Sequence, residues 1–162
     1  MFRPDLVDVW VFRTAAVGEV QILLMRRSAG RVLPGLWQGV SGSLEPDERV
    51  VAGALRELRE ETGIGSDEIV ALYDLDQVNQ FHEPSVDGIL TAAIFAVRVG
   101  PGVEPRLSHE HDQARWVGPA EALDLVVWPS YRISIARISG DLLDPARAAW
   151  FELDADGRRR IA

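Results

Sequence analysis

The 162-residue chain contains no cysteine. That excludes a disulfide framework, a thiolate metal site and a cysteine nucleophile. It also lacks any run of about 18 or more apolar residues, so no segment reads as a membrane span. The opening Met1-Phe2-Arg3-Pro4-Asp5 has no charged segment followed by a long apolar stretch, so no signal peptide is expected. Positive charge is in short supply: 17 Lys and Arg against 25 Asp and Glu give a formal net charge of -8. An acidic surface repels nucleic-acid backbones, so neither nucleic acid nor a membrane is an expected partner. A phosphorylated ligand would need a metal ion and a few local arginines at its site. There is no internal repeat and no low-complexity stretch. A cytoplasmic location fits these absences.

What remains is ordinary globular material, with 47% hydrophobic and 26% charged residues. Such a chain is long enough for one domain with a real core, spanning residues 1–162. Residues 6–12 and 20–25 are rich in β-branched and aromatic side chains and read as two strands joined by a turn at Gly18. Arg26 and Arg27 follow directly. Residues 28–36 form a loop, and 37–43 a third extended segment, in which Trp37 and Gln38 suit either the core or a pocket that stacks a flat ring. Residues 69–78 and 89–99 are two further strands separated by a polar loop, 79–88, carrying Phe81 and His82. A short strand at 113–117 precedes helices at 118–123, with Pro119 near its start, and at 129–139, apolar at Ile133, Ile135 and Ile138. Residues 144–162 read as a helical turn at 145–150 and then a mobile basic tail, Arg158-Arg159-Arg160. Hairpins mixed with crossovers predict an α/β fold, a mixed sheet with helices on both faces.

The chemistry concentrates between Gly42 and Ile64. Asp47 is positioned to cap a helix whose apolar stripe is Val51, Ala54, Leu55, Leu58 and Thr62, ended by Gly63. On that helix Glu57, Glu60 and Glu61 stand at i, i+3 and i+4, one face, at the border of the stripe. Carboxylates held side by side repel unless a cation lies among them, and Mg²⁺ or Mn²⁺ is the hard oxygen-ligated choice.

Gly42, Glu48, Arg56, Glu57, Leu58, Glu60, Glu61, Gly63 and Ile64 fall in the order and spacing of the Nudix box, and the chain resembles that family. The resemblance implies a Nudix α/β/α sandwich and Mg²⁺-dependent hydrolysis of a nucleoside diphosphate linked to another group. The flanks, Trp37 to Glu45, Glu110 to Trp116 and Trp128, are similar to the dihydroneopterin triphosphate pyrophosphatase branch. Markers of other branches are missing: Gln80 stands where ADP-ribose pyrophosphatases tend to have proline, and His82 where diadenosine polyphosphate hydrolases tend to have tyrosine. The isomerase cysteine and the coenzyme A motif are also absent. By elimination, the substrate is a nucleoside triphosphate or dihydroneopterin triphosphate. Dinucleoside polyphosphates and nucleotide sugars are the alternatives, as is a non-catalytic nucleotide sensor.

By the same resemblance Glu57, Glu60 and Glu61 hold the metal, with the Ser41 carbonyl and Glu110 adding ligands, and Arg56 pairs with Glu48 or Glu57. Glu57 and Glu110 are both candidates for the general base. Glu110 lies between His109 and His111, which does not make a His-Glu-x-x-His zinc motif. Arg26 and Arg27 are expected on phosphates, and Trp37, Gln38, Phe81 and Trp128 around a base or pterin ring. A homodimer is expected by analogy alone.

Overall fold

A computed structural model describes residues 1–15 and 17–161. Strand β1 (Leu6–Thr14) is central. Its odd positions Val7, Val9 and Val11 face one layer and Trp10 and Phe12 face the other, all buried. A strand covered on both faces reads as a continuous apolar run rather than an alternation. β1 lies parallel to β6 (Gly88–Val99) along one edge. Along its other edge it pairs antiparallel with β2 (Val20–Arg27), but only from Phe12 to Thr14. Beyond that point the two strands part. β4 (Val40–Ser43) takes over the edge of β1 from Leu6 to Val9, and β3 (Trp37–Gln38) lies against Met25 and Arg26 of β2. β7 (His111–Val117) covers the far edge of β2. The sheet therefore splays open beside β3 and β4, and the site lies at this opening.

Helix α1 (Val50–Thr62) packs Val51, Ala54 and Leu58 on the face that holds Val7, Val9, Met25, Phe95 and Val97. Helices α2 (Pro119–Leu125), α3 (Pro129–Asp141) and α4 (Pro145–Ala148) cover the opposite face, where Ala122, Ile135, Ile138 and Ala148 meet Trp10, Phe12, Ile22 and Ile94. Each fully buried Leu or Ile contributes about 1.5–3 kcal/mol of transfer free energy. The expected sandwich, a mixed sheet between helical layers, is the fold found. No helix of the described residues is long and apolar enough to cross a membrane.

Several local expectations need correction. Asp47 does not cap α1. Its backbone is left-handed (φ 61°), and the helix begins after Arg49 without a side-chain cap. The Glu48 carboxylate accepts the Glu45 N–H at 3.0 Å and holds residues 45–48 as a turn. Residues 79–83 are not loop: β5 (Ile69–Glu83) and β6 form one long hairpin, turned at 84–87 with Asp87 left-handed. The segment 37–43 is two strands, broken at Gly39. Ile133 is exposed, and Ser134, Ile135 and Ile138 make the buried side of α3. The basic tail is tied down. β8 (Glu152–Leu153) adds to the free edge of β5, Arg159 reaches Asp74 at 2.8 Å, and Arg160 reaches Glu152 at 3.2 Å.

Candidate active site

The site is built where α1 passes under β4. An alanine Cβ at Gly42 would lie 2.0 Å from Cδ of Glu57 and 2.2 and 2.4 Å from its two oxygens. Glycine is needed because the Glu57 carboxyl packs against the backbone of β4 where a side chain would stand. At the other end of α1, Gly63 closes the helix in the left-handed region (φ 69°), its N–H on the Arg59 carbonyl.

Arg56 holds the acidic group in order. Its Nε and Nη2 grip both oxygens of Glu48 at 2.8 and 2.9 Å. Nη1 donates to Glu57 at 2.7 Å and to Glu60 at 3.2 Å, and Nη2 also reaches the Ser43 carbonyl at 2.9 Å. All five guanidinium N–H groups are engaged. The expected pairing with Glu48 or Glu57 is made with both at once. Hydrogen bonds from Arg56 and from the Glu45 N–H hold the Glu48 carboxyl down at about 2. Glu57 has the opposite balance: burial raises it, and the hydrogen bond from Arg56 works against that.

Glu61, a further turn along α1, is 2% exposed. It accepts the Ser41 N–H at 3.3 Å. Burial, then the Glu110 carboxyl beside it, pushes its own carboxyl up to about 9. Glu110 comes from the turn before β7, where its carbonyl accepts the Ser28 N–H at 2.9 Å. Glu61, Glu110 and His111 each place one ligand atom within 4.8 Å of the others. Two carboxyls in contact, one of them buried, form a donor set short of one cation. The residues present therefore fit a divalent ion. Glu60 is more peripheral, with its side chain 56% exposed.

The other expected residues divide. Gln38 is buried with its amide on the His111 ring at 3.0 Å. Trp37 is half-buried beside Arg115, whose guanidinium carbon is 5.8 Å from the ring centroid. Arg27 donates Nε to the Val32 carbonyl at 2.6 Å and lies close enough to His111 and Tyr131 to influence both. Arg26 is paired with Asp112 at 2.8 Å. Trp128 is exposed at the start of α3. Phe81 sits on the projecting hairpin arm, paired with Leu90, and no hydrogen bond or ion pair among the described residues links it to the carboxylates.

Two residues at the opening were not anticipated. Asp8, opposite Ser41 in the strand register, is 8% exposed, and burial raises its carboxyl to about 6 against a hydrogen bond from Ser41. Tyr131 of α3 packs edge-on against Trp10, with ring centroids 5.1 Å apart. Burial raises its hydroxyl further from ionisation, with Asp8 and Glu61 adding to the effect. A lone aspartate inside the run Leu6-Val7-Asp8-Val9-Trp10 is the signal that would have found this pair.

The NUDIX domain family model matches residues 3–138. The chain belongs to that family. It is 32% identical to the CTP pyrophosphohydrolase of Escherichia coli (strain K12) over 118 residues, 68% of this chain and 76% of that protein. It also matches part of a Myxococcus xanthus octanoyltransferase, with 36% identity over 121 residues. That match takes in 74% of this chain but spans only 32% of the octanoyltransferase. Among solved structures, a C. elegans Ap4A hydrolase binary complex superposes with a TM-score of 0.71 at 17% identity, covering 83% of this chain and 93% of the other. The E. coli dihydroneopterin triphosphate pyrophosphohydrolase gives 0.65 at 24%, covering 81% and 92%. Likeness at that identity shows the shared fold alone.

Proposed function

We propose that the chain is a divalent-metal-dependent hydrolase that cleaves the pyrophosphate linkage of a nucleoside triphosphate or dihydroneopterin triphosphate. The observation that carries the reading is the Glu61–Glu110 contact, a buried acid against a half-buried one, with no arginine paired to either among the described residues. Mg²⁺, or Mn²⁺, is the proposed cofactor. Glu57, Glu60 and Glu61 would hold it, with the Ser41 carbonyl and Glu110 in reach. Such an ion supplies neutralisation of phosphate oxygens and a lowered pKa for water.

The chain's own residues do the rest. Arg56 is a positioning residue, since every donor it has is already directed at Glu48, Glu57, Glu60 or Ser43. Between the two candidate bases the geometry favours Glu110. Glu57 has one oxygen tied to Arg56 at 2.7 Å, while no arginine pairs with Glu110 among the described residues. Glu110 therefore takes the proton from the attacking water as its oxygen meets phosphorus. Arg27, at the mouth of the opening, meets the substrate phosphates. Trp37 and Trp128 are the residues assigned to stack on a base or pterin ring. Triphosphates are favoured because the CTP pyrophosphohydrolase is a relative over most of its own length and the flanks of the box resemble the pterin triphosphate branch.

The test is a panel of nucleoside and pterin triphosphates, dinucleoside polyphosphates and nucleotide sugars, with Mg²⁺ and with Mn²⁺ and products identified by mass. Ion-dependent release of pyrophosphate from a triphosphate is expected. Cleavage confined to dinucleotides would move the substrate assignment, and binding without turnover would make the chain a sensor. Glu61→Gln should lower kcat by at least about a hundredfold and Glu110→Gln by at least about tenfold. Wild-type turnover in either variant removes that residue from the site.

A further inference from the structure

The carboxylates on α1 offer only oxygen, but the cluster at the opening also contains nitrogen. A ring nitrogen of His111 lies within 4.8 Å of a carboxylate oxygen of Glu61 and of Glu110. The ring is 3% exposed. Its Nε2 faces the Gln38 amide nitrogen at 3.0 Å, and its Nδ1 is buried without a hydrogen-bond partner. A buried polar atom left unpaired is unfavourable, and native interiors rarely keep one without a use for it.

The Gln38 amide and the imidazole form a linked pair with two settings. With the amide nitrogen toward Nε2, the amide N–H donates to the ring and the ring proton resides on Nδ1. Turning the amide end over exchanges its oxygen and nitrogen with almost no change in shape. The Gln38 oxygen then accepts the Nε2–H, and Nδ1 presents a lone pair. Histidines that bind metals usually keep their other N–H on a carbonyl or carboxylate oxygen in this way, which fixes tautomer and ring orientation. Gln38, itself 3% exposed, is held beside the ring by β3 pairing with β2.

We propose that His111 Nδ1 joins Glu61 and Glu110 as the third donor of a mixed nitrogen–oxygen seat for a divalent transition-metal ion, with Gln38 as the residue that orients the ring. The inference rests on the carboxylate site proposed above and changes its character. Glu57 and Glu60 form an oxygen-only side suited to Mg²⁺. An imidazole in the set moves the preference toward Mn²⁺, Co²⁺ or Zn²⁺. A carboxylate has two oxygens, so a ligand role for Glu110 is compatible with its taking a proton. The sequence His109-Glu110-His111 contributes its second histidine, not a zinc motif of two.

Pulsed EPR of the full chain loaded with Mn²⁺ alone reads the coordination directly. Histidine nitrogen should couple to the bound Mn²⁺, and the pattern should change on labelling histidine with ¹⁵N. It should persist when His82→Asn and His109→Asn are combined, which leaves His111 as the sole imidazole, and vanish in His111→Phe. The labelling and the double variant do not depend on the folding of His111→Phe. In binding titrations His111→Phe should weaken Zn²⁺ or Co²⁺ by at least about tenfold and leave Mg²⁺ within about twofold. Stoichiometric Mn²⁺ binding without nitrogen coupling overturns this inference and leaves the carboxylate reading standing. Failure to bind Mn²⁺ stoichiometrically overturns both.

Discussion

Replacing Gly42 by alanine tests the site through a single methyl group. The new Cβ would stand 2.0 Å from Cδ of Glu57, where ordinary contact begins near 3.4 Å. The carboxyl must retreat by about 1.4 Å, a displacement large enough to cost about a hundredfold in rate at a site that depends on position. The backbone is not the obstacle, since Gly42 is not among the residues with positive φ, and its conformation is open to alanine. The clash is with the end of a side chain, so the loss of stability should stay near the lower end of overpacking, about 1 kcal/mol. The retreat would pull Glu57 away from Arg56, which holds it at 2.7 Å. Steady-state kinetics beside a thermal melt would separate the two effects. The expected result is kcat down by about a hundredfold, with a melting temperature lowered by only a few degrees. Activity within threefold of wild type would refute the reasoning, because Glu57 would then not need its place beneath β4.

Two further substitutions probe what surrounds the site. Gly53→Ala should go against the usual gain of about 1 kcal/mol for alanine in a helix, because its Cβ would meet Leu44 Cδ2 at 2.3 Å and Glu48 Oε2 at 2.9 Å. Denaturant unfolding should show a loss of about 1–2 kcal/mol, and a gain would show that α1 and the turn before it can separate freely. Asp8 has a folded pKa of about 6, raised from 3.8, so its ionised form is disfavoured in the folded state. Its contribution is most favourable below the unfolded value and is lost as pH rises from about 4 through 6. Asp8→Asn should therefore raise the melting temperature above pH 6, by an amount equivalent to about 1–3 kcal/mol, with the difference narrowing below pH 4. A pH-independent difference would place the Asp8 carboxyl in a more solvated setting than its 8% exposure implies.

The box was legible because helical spacing alone brings Glu57, Glu60 and Glu61 to one face. The reason for its glycine was not, since the partner of Gly42 lies fifteen residues away and acts through a missing side chain. Glu48 was legible as one of two possible partners of Arg56, and only the fold shows it gripped through both oxygens while Glu57 is held as well. Asp8 interrupts an apolar strand buried on both faces, but its neighbours Ser41 and Tyr131 come from β4 and α3, far along the chain. The arm at 79–83 escaped for a different reason. Gln80, His82 and Glu83 pair with β6 through backbone hydrogen bonds, with no buried face to impose a period. β8 is two residues long and pairs with Leu72 and Tyr73, some eighty residues earlier, and with the chain that turns back at Arg159.

The charge arrangement separates positioning from chemistry within one helix. Arg56 is the cation nearest the acidic group, yet its five donors are directed to Glu48, Glu57, Glu60 and Ser43. Turning any of the four donors held by Glu48, Glu57 and Glu60 toward a phosphate would release a carboxylate beside that phosphate, which works against binding. Arg26 has its charge offset by Asp112, to which its Nε donates. Among the described residues Arg27 has no ion-pair partner and gives its Nε to the Val32 carbonyl, so its charge remains available. One arginine cannot offset a triphosphate together with Glu61 and Glu110, and the chain as a whole carries a net charge of -8. A polyphosphate could enter this opening only with positive charge it does not find in the protein. On this reasoning ion and substrate bind interdependently, and ligand affinity should fall steeply when divalent ions are removed.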